Sequence, residues 1–363
     1  MPLESLWQPC RHETHIGYEQ DARLQKTMDD TRVKAMVFFY SVDESMSGYS
    51  RGVGLKAMRA LFRRWTMMGG ICALALTLSG CSIKKVAINA LGNALSEGTS
   101  SYGKDDDTEL VRDAVPFGLK TIEMLIEQSP KHKGLLTAAC SGFTQYSYAF
   151  VQQDADFIEE QDFDKAKEMR IRAKKLYLRA FEYGMRSIET EFAGFRDQLR
   201  KDPDTALAKM TKKHVPRLYW TGASWAAAFA INKADPDLAA DQTLIEKMMQ
   251  RALALDESWD MGAIHDFFIS WEGGHTASGG SYEKARQHFD RSVALSRGLL
   301  AGPYVSLAEA VSVPQQNKKE FQEVLNIALK TDINQAPDHK LANVISQRRA
   351  RWLLGRVDEL FTE

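Results

Sequence analysis

From Thr108 to the C-terminus, apolar residues return every three or four positions and nowhere alternate convincingly. Leu119, Ile122, Leu125 and Ile126 share one face of the stretch 109–127, with Pro116 expected to kink it or open a second segment. Ser129-Pro130 marks a stop. Leu135, Ala139, Phe143, Tyr146 and Phe150 repeat the spacing, as do Met169, Ala173, Leu176, Tyr177 and Ala180. Weaker periods cover 187–200 and 204–212, and Val215-Pro216 opens a very apolar helix through Trp220, Trp225 and Phe229. Further helices are expected at 237–255, 259–271, 281–298, 303–311, 317–330 and from Asp338 onward. The fold class that follows is all-α.

Paired helices with short loops call for a search for repeats. In a tetratricopeptide unit, the second helix carries a small residue, a large one four on, and a small one three further, so that the pair approaches closely. Ala173, Tyr177 and Ala180 fit; so do Ala285, Phe289 and Ser292. Ile245, Met249 and Ala252 fit loosely. Phe321, Leu325 and Ala328 fit only at the last position, and Gly118, Ile122 and Leu125 in part. The spacing is uneven, which describes degenerate tetratricopeptide-like repeats with helices inserted, an α-solenoid sharing one core. A plain irregular helical bundle is the competing reading.

Upstream lies a different pattern. Arg59, Arg63 and Arg64 precede a 14-residue apolar run from Trp65 to Leu78, which ends in Ser79-Gly80-Cys81. The run is shorter than the roughly 20 residues that span a bilayer as a helix. Basic residues, a short apolar segment, small residues and a cysteine, in that order, form a bacterial lipoprotein signal. The Cys81 thiol would take the lipid and become the mature N-terminus. A short buried helix with a free cysteine is the alternative. Residues 1–57 have no sustained period and are expected to be a leader from a start placed too far upstream, with Met58 the true start; a real leader is the other reading. Residues 58–80 are then the signal peptide, 81–107 a lipid-anchored tether rich in glycine, serine and aspartate, and 108–363 the helical domain.

The net charge of −1 leaves no electrostatic footprint for nucleic acid. Cys140 is the one cysteine beyond Cys81, so no internal disulfide is expected, and a buried small hydrophobe is its natural role. No catalytic or cofactor motif is present, and neither an enzyme nor a cofactor is expected. His265, His275 and His288 are spaced so that no two share a helix face, which argues against a metal site. Gly273-Gly274 and Gly279-Gly280 read as a loop between helices rather than a phosphate cradle. Arg348-Arg349-Ala350-Arg351 reads as a solvated helix face. Most aromatics belong in the core. Tyr146 and Tyr148 fall on different helix faces and Trp220 and Trp225 are off register, so some of these, with Tyr304, are candidates to line a groove or pore.

Five stretches together are similar to the T-component (TatT-like) lipoproteins of tripartite ATP-independent periplasmic (TRAP) transporters. They are Glu109 to Ala114, Gly142 to Tyr146, Tyr219 to Trp225, Gly302 to Glu309, and the tail from Leu341 to Leu354. The resemblance implies a lipid-anchored helical scaffold that binds the periplasmic solute-binding subunit. It also implies association as a homotrimer with a central pore and a hydrophobic small-molecule ligand such as an organic acid. A solenoid would dock its partner on the concave face. Ser82 after Cys81, not being an aspartate, favours the outer membrane. The runner-up is a tetratricopeptide lipoprotein scaffolding envelope assembly without a transporter.

Overall fold

A computed structural model describes residues 89–93, 100–232 and 235–362. Inter-residue contacts divide the chain into residues 1–80 and 81–363, and the described residues all belong to the second unit. Cys81 and the segments 1–57 and 58–80 lie outside the described residues. Among the described residues there is no strand, and the all-α expectation holds.

The main helices are α1 (Thr108–Gln128), α2 (Lys133–Ser147), α3 (Phe163–Glu189), α4 (Val215–Ile231) and α5 (Gln242–Leu255), followed by α6 (Ala263–Gly274), α7 (Tyr282–Ser296), α8 (Gly302–Leu307), α9 (Lys318–Lys330) and α10 (Lys340–Leu354). Their starts are chemically marked. Asp107 accepts from the amides of Glu109 and Leu110, and Asp162, Ser281 and Asn317 cap α3, α7 and α9 in the same way. Helix α1 runs unbroken through Pro116. Its buried stripe of Val111, Leu119, Ile122 and Ile126 continues past the proline and offsets the missing hydrogen bond. Helix α7 ends on Arg297 and Gly298, both at positive φ, a left-handed exit that glycine makes easy.

An inner row is formed by α2, α4, α6, α8 and α10, with α3, α5, α7 and α9 packed outside it. The outer helices bury the residues singled out by the spacing search: Ala173, Tyr177 and Ala180; Ile245, Met249 and Ala252; Ala285 and Ser292; Phe321, Leu325 and Ala328. Fully burying a side chain of the size of Phe321 contributes about 1.5–3 kcal/mol. Small residues set the closest approaches. A Cβ on Gly184 of α3 would sit 2.9 Å from the Cys140 sulfur and collide with Thr221. Gly273, expected in a loop, is the penultimate residue of α6, where a Cβ would stand 2.9 Å from that of Ala310.

The row returns to its start. Ile345 of α10 packs with Val111, Ala149 and Phe150, and Trp352 meets Phe157 at 5.3 Å between ring centroids. Lys340 pairs with Asp106 at 2.6 Å, beside the segment that leads into α1.

Candidate functional site

Two short π-helical segments interrupt the inner row, Tyr148–Gln152 after α2 and Ala308–Ser312 after α8. Such segments insert a residue and turn the side chains beyond them to a new direction. The first presents Tyr148 and the second Glu309, and Arg349 of α10 bears on both. Arg349 donates to Glu309 at 2.7 Å and to Asp156 at 2.8 Å, while Asp156 also accepts from Arg170 at 2.8 Å. Beside this chain, Arg348 donates to the Ala149 carbonyl and lies 3.6 Å from Asp154, which also holds Arg112. Burial works against the charge of Arg349, and Glu309 and Asp156 more than restore it. Arg348 is held below the usual arginine range, chiefly by burial. The arginine run read as a solvated face is therefore a seam: Arg348 and Arg349 face inward, Ala350 is buried, and Arg351 alone is exposed. Carboxylates from a distant part of the chain captured it, and nothing local encodes that.

Tyr148 keeps 44% of its surface open, yet loss of surrounding water, and then the Glu309 charge, push its phenol up to about 12. The charge of Asp266 of α6 acts on the Tyr148 phenol and on that of Tyr219 of α4. Burial raises the Tyr219 phenol well above its ordinary value, helped by the charges of Asp266 and Asp260. Burial pushes the Asp266 carboxyl up to about 6, with a partial counter-effect from Ser306. One of its oxygens, Oδ1, is buried without a hydrogen-bond partner, and the other faces Gly302, where a Cβ would come within 2.9 Å. Tyr219 packs on Trp259 at 4.6 Å and Trp220 at 5.0 Å, all three half-buried. Trp259 is followed by Asp260, Met261 and Gly262, all at positive φ, and Asp260 accepts from His339 at 2.8 Å. Three successive left-handed residues store strain of the kind found beside binding sites.

The five aromatic candidates separate. Tyr148 and Trp220 are on the inner face, and Tyr146 is half-buried against Phe150 with Arg172 over its ring. Trp225 is buried against Phe181, and Tyr304 is buried edge-on to Phe289, so both belong to the core. Asp266, Tyr219 and Arg349 had no sequence signal beyond residue type.

Elsewhere, Cys140 is buried and its thiol is pushed up to about 12 by burial, which makes it inert. His265 and His288, on different helices, meet Nδ1 to Nδ1 at 2.8 Å, so one ring donates and the other accepts. Burial lowers both, His288 to about 4. Spacing within one helix could not show this contact, because the pair is made between α6 and α7. Among the described residues no group of three or more metal-ligating side chains is found. On the outer side, a groove along α3 is lined by Phe163, Lys167, Ile171, Lys175, Leu178 and Ile231. Phe163 is 63% exposed, and no ion-pair partner is found for Lys167 or Lys175 among the described residues.

Comparison with known proteins gives two findings. The family model described as TRAP transporter T-component matches residues 104–361. An uncharacterized protein of Treponema pallidum (strain Nichols) is 32% identical over 310 residues, which cover 80% of this chain and 96% of that protein.

Proposed function

Since the chain belongs to the TRAP transporter T-component family and is a component of such a transporter system, we propose that it is the envelope-anchored scaffold that binds the periplasmic solute-binding subunit. Cys81 is the lipid attachment site in this reading, residues 58–80 the signal peptide, and 81–107 the tether; the ordered basic, apolar and small residues before Cys81 support it. Anchoring faces the periplasm, with the outer membrane favoured by Ser82. The role is non-catalytic. The inner face around Tyr148 and Tyr219 takes a small molecule with an apolar body, and the half-buried ring cluster of Tyr219, Trp220 and Trp259, together with the exposed Tyr148, supports this.

The inner row returns to its start, which leaves the outer surface for a partner as large as a solute-binding subunit. The α3 groove suits it, with exposed Phe163 and Ile171 between lysines. A second exposed stripe, Leu110, Phe117 and Met124 at seven-residue spacing on α1, suits contact between copies in a homotrimer.

One co-purification experiment tests both surfaces. The full chain is mixed with the periplasmic solute-binding proteins of TRAP transporters from the same organism, and capture and particle mass are measured. Phe163→Asp is expected to weaken capture by about tenfold or more, as loss of an interface anchor does. Phe117→Asp is expected to reduce the mass to a monomer's and leave capture intact. A wild-type chain that captures no solute-binding protein overturns the scaffold reading.

A further inference from the structure

Helices α2 and α4 begin with the wrong charge for their own dipoles. A helix N-terminus is positive, and Asp and Glu are the residues that stabilise it. Neither α2 nor α4 has an acidic residue in its first turn. Lys133 opens α2, Arg217 is the third residue of α4, and Lys213 stands just before α4 in a short turn at 212–214. All three converge on Glu191, just past the end of α3: Lys213 at 2.9 Å, Lys133 at 3.0 Å and Arg217 at 3.2 Å. His214 adds a neutral donor, because its Nδ1 accepts from the Thr211 amide at 2.8 Å and its Nε2–H then points to Glu191 at 3.2 Å. Three cations around one carboxylate leave two positive charges over, and the two helix ends add to them. Of the charges that flank this group in sequence, Lys212 pairs with Asp256 at 3.1 Å and Glu189 accepts from the Arg196 amide at 3.2 Å. The Lys133 and Lys213 side chains are 50% and 66% exposed, and Lys131 is exposed beside them. Each ammonium carries donors beyond the one that Glu191 takes.

The route of the chain says what faces this end. The segment 89–93 is seated beside it. Asn89 Oδ1 accepts from Ser129 Oγ at 2.8 Å, and the Asn89 carbonyl is 3.3 Å from Nε2 of His132, the residue before Lys133. A Cβ on Gly92 would stand 3.0 Å from that same nitrogen. Cys81 precedes Asn89 by eight residues, a reach of at most about 29 Å. Helix α3, at 27 residues, is about 40 Å long. It ends beside Lys133 and starts at Phe163, so the basic cluster is within reach of Cys81 and the groove at Phe163 is at the far end.

We propose that the end of the molecule carrying Lys133, Lys213 and Arg217 docks on the anionic lipid headgroups of the membrane in which Cys81 is anchored. This deepens the reading of Cys81 as the lipid site and rests on it. Headgroup phosphates take up the donors that Glu191 leaves free. The attraction fades within a Debye length, so it acts once the anchor has brought the surface close. The chain then stands with the α3 groove turned away from the bilayer, open to a solute-binding subunit.

The full chain is reconstituted into vesicles and treated with a membrane-impermeant amine-labelling reagent, and labelling of each lysine is read by mass spectrometry relative to Lys167 in the α3 groove. One set of vesicles is phosphatidylcholine, and the other contains about 30% phosphatidylglycerol. Labelling of Lys131, Lys133 and Lys213 should fall by about threefold or more on the anionic vesicles and recover in about 0.5 M salt. In a chain with Lys133→Glu and Lys213→Glu together, the fall at Lys131 should vanish; Arg217 still holds Glu191 there, and the wild-type comparison needs no variant. The assignment is overturned if the three lysines label equally on both vesicles, or if Lys167 is shielded as much as they are. Shielding already complete in detergent would assign the surface to a second copy, and shielding that appears only when a solute-binding protein is added would assign it to that protein; either overturns the membrane contact. Acyl mass on Cys81 is measured on the same sample. An acylated chain without shielding sinks only this inference, and a shielded chain without an acyl group sinks only the anchor reading.

Discussion

Two joints of the inner row are made of different material. Where α2, α3 and α4 pack, the contact is dry and close: Gly184 lies against Thr221 and Cys140, and Phe181 meets Trp225 at 4.5 Å between ring centroids. Where α10 meets the residues after α2, the joint is charged: Arg349 to Asp156, Arg348 to Asp154, and Arg356 to Glu160 at 2.8 Å. The partners in the first joint are close in sequence, and helix propensity and spacing bring them together. Those in the second are 193 positions apart for Arg349 and Asp156. Ion pairs there fix which residue meets which, since a charge left unpaired in a slipped register is costly. Apolar packing holds the dry joint, and at the second joint paired charges fix the register alongside the packing of Ile345 and Trp352.

The largest effect expected from breaking this contrast is at Arg349, whose side chain is only 12% exposed. Arg349→Ala leaves Glu309 without its partner and should cost about 3 kcal/mol in urea unfolding, the scale of a broken buried pair. Hydrogen exchange should show the loss concentrated in α10 and in 148–158, with α3 and α4 still protected. An even loss along the chain would mean that the seam is not a separate joint. A smaller effect, about 2 kcal/mol, is expected for Gly184→Val, because added methyl groups have no room against Thr221 and Cys140. Here the unfolding midpoint should fall with no local opening, and unchanged stability would show that the dry joint has slack. The smallest concerns pH. The hydrogen bond to Asp260 raises the His339 pKa above its ordinary value. A base-type group with a raised folded pKa stabilises fully below its unfolded value, about 6.5. That contribution, about 1 kcal/mol or less for a partly exposed pair, is lost as pH rises through the folded value. Wild type and His339→Asn should therefore differ in stability at about pH 6 and converge on the alkaline side of that transition. A gap that widens with rising pH would contradict the pairing.

The helices were legible because their apolar spacing is strong and their caps are local; Asp107, Asp162, Ser281 and Asn317 are each beside the amides they hold. The packing of outer on inner helices was legible too, since small residues such as Ala173 and Ala180 have few other uses at that spacing. Which aromatics are exposed was half legible. Tyr148 and Trp220 stand out as aromatic residues off the main stripe, but Trp225 and Tyr304 have the same appearance and are buried. A helical wheel drawn from α2 through 158 fails at the π segment, where the register turns. Asp266 was not legible, because its burial is set by neighbours that meet only in space. The same holds for Arg348 and Arg349, whose meaning depends on Asp154 and Asp156 near the other end of the chain.

An open spiral of helices can stretch like a spring, spreading a small rotation over every joint. Because Ile345 and Trp352 dock on Phe150 and Phe157, this one is fastened into a hoop. A hoop does not loosen one joint at a time as a spiral does: its helices can spread apart only after the contacts between its two ends have parted.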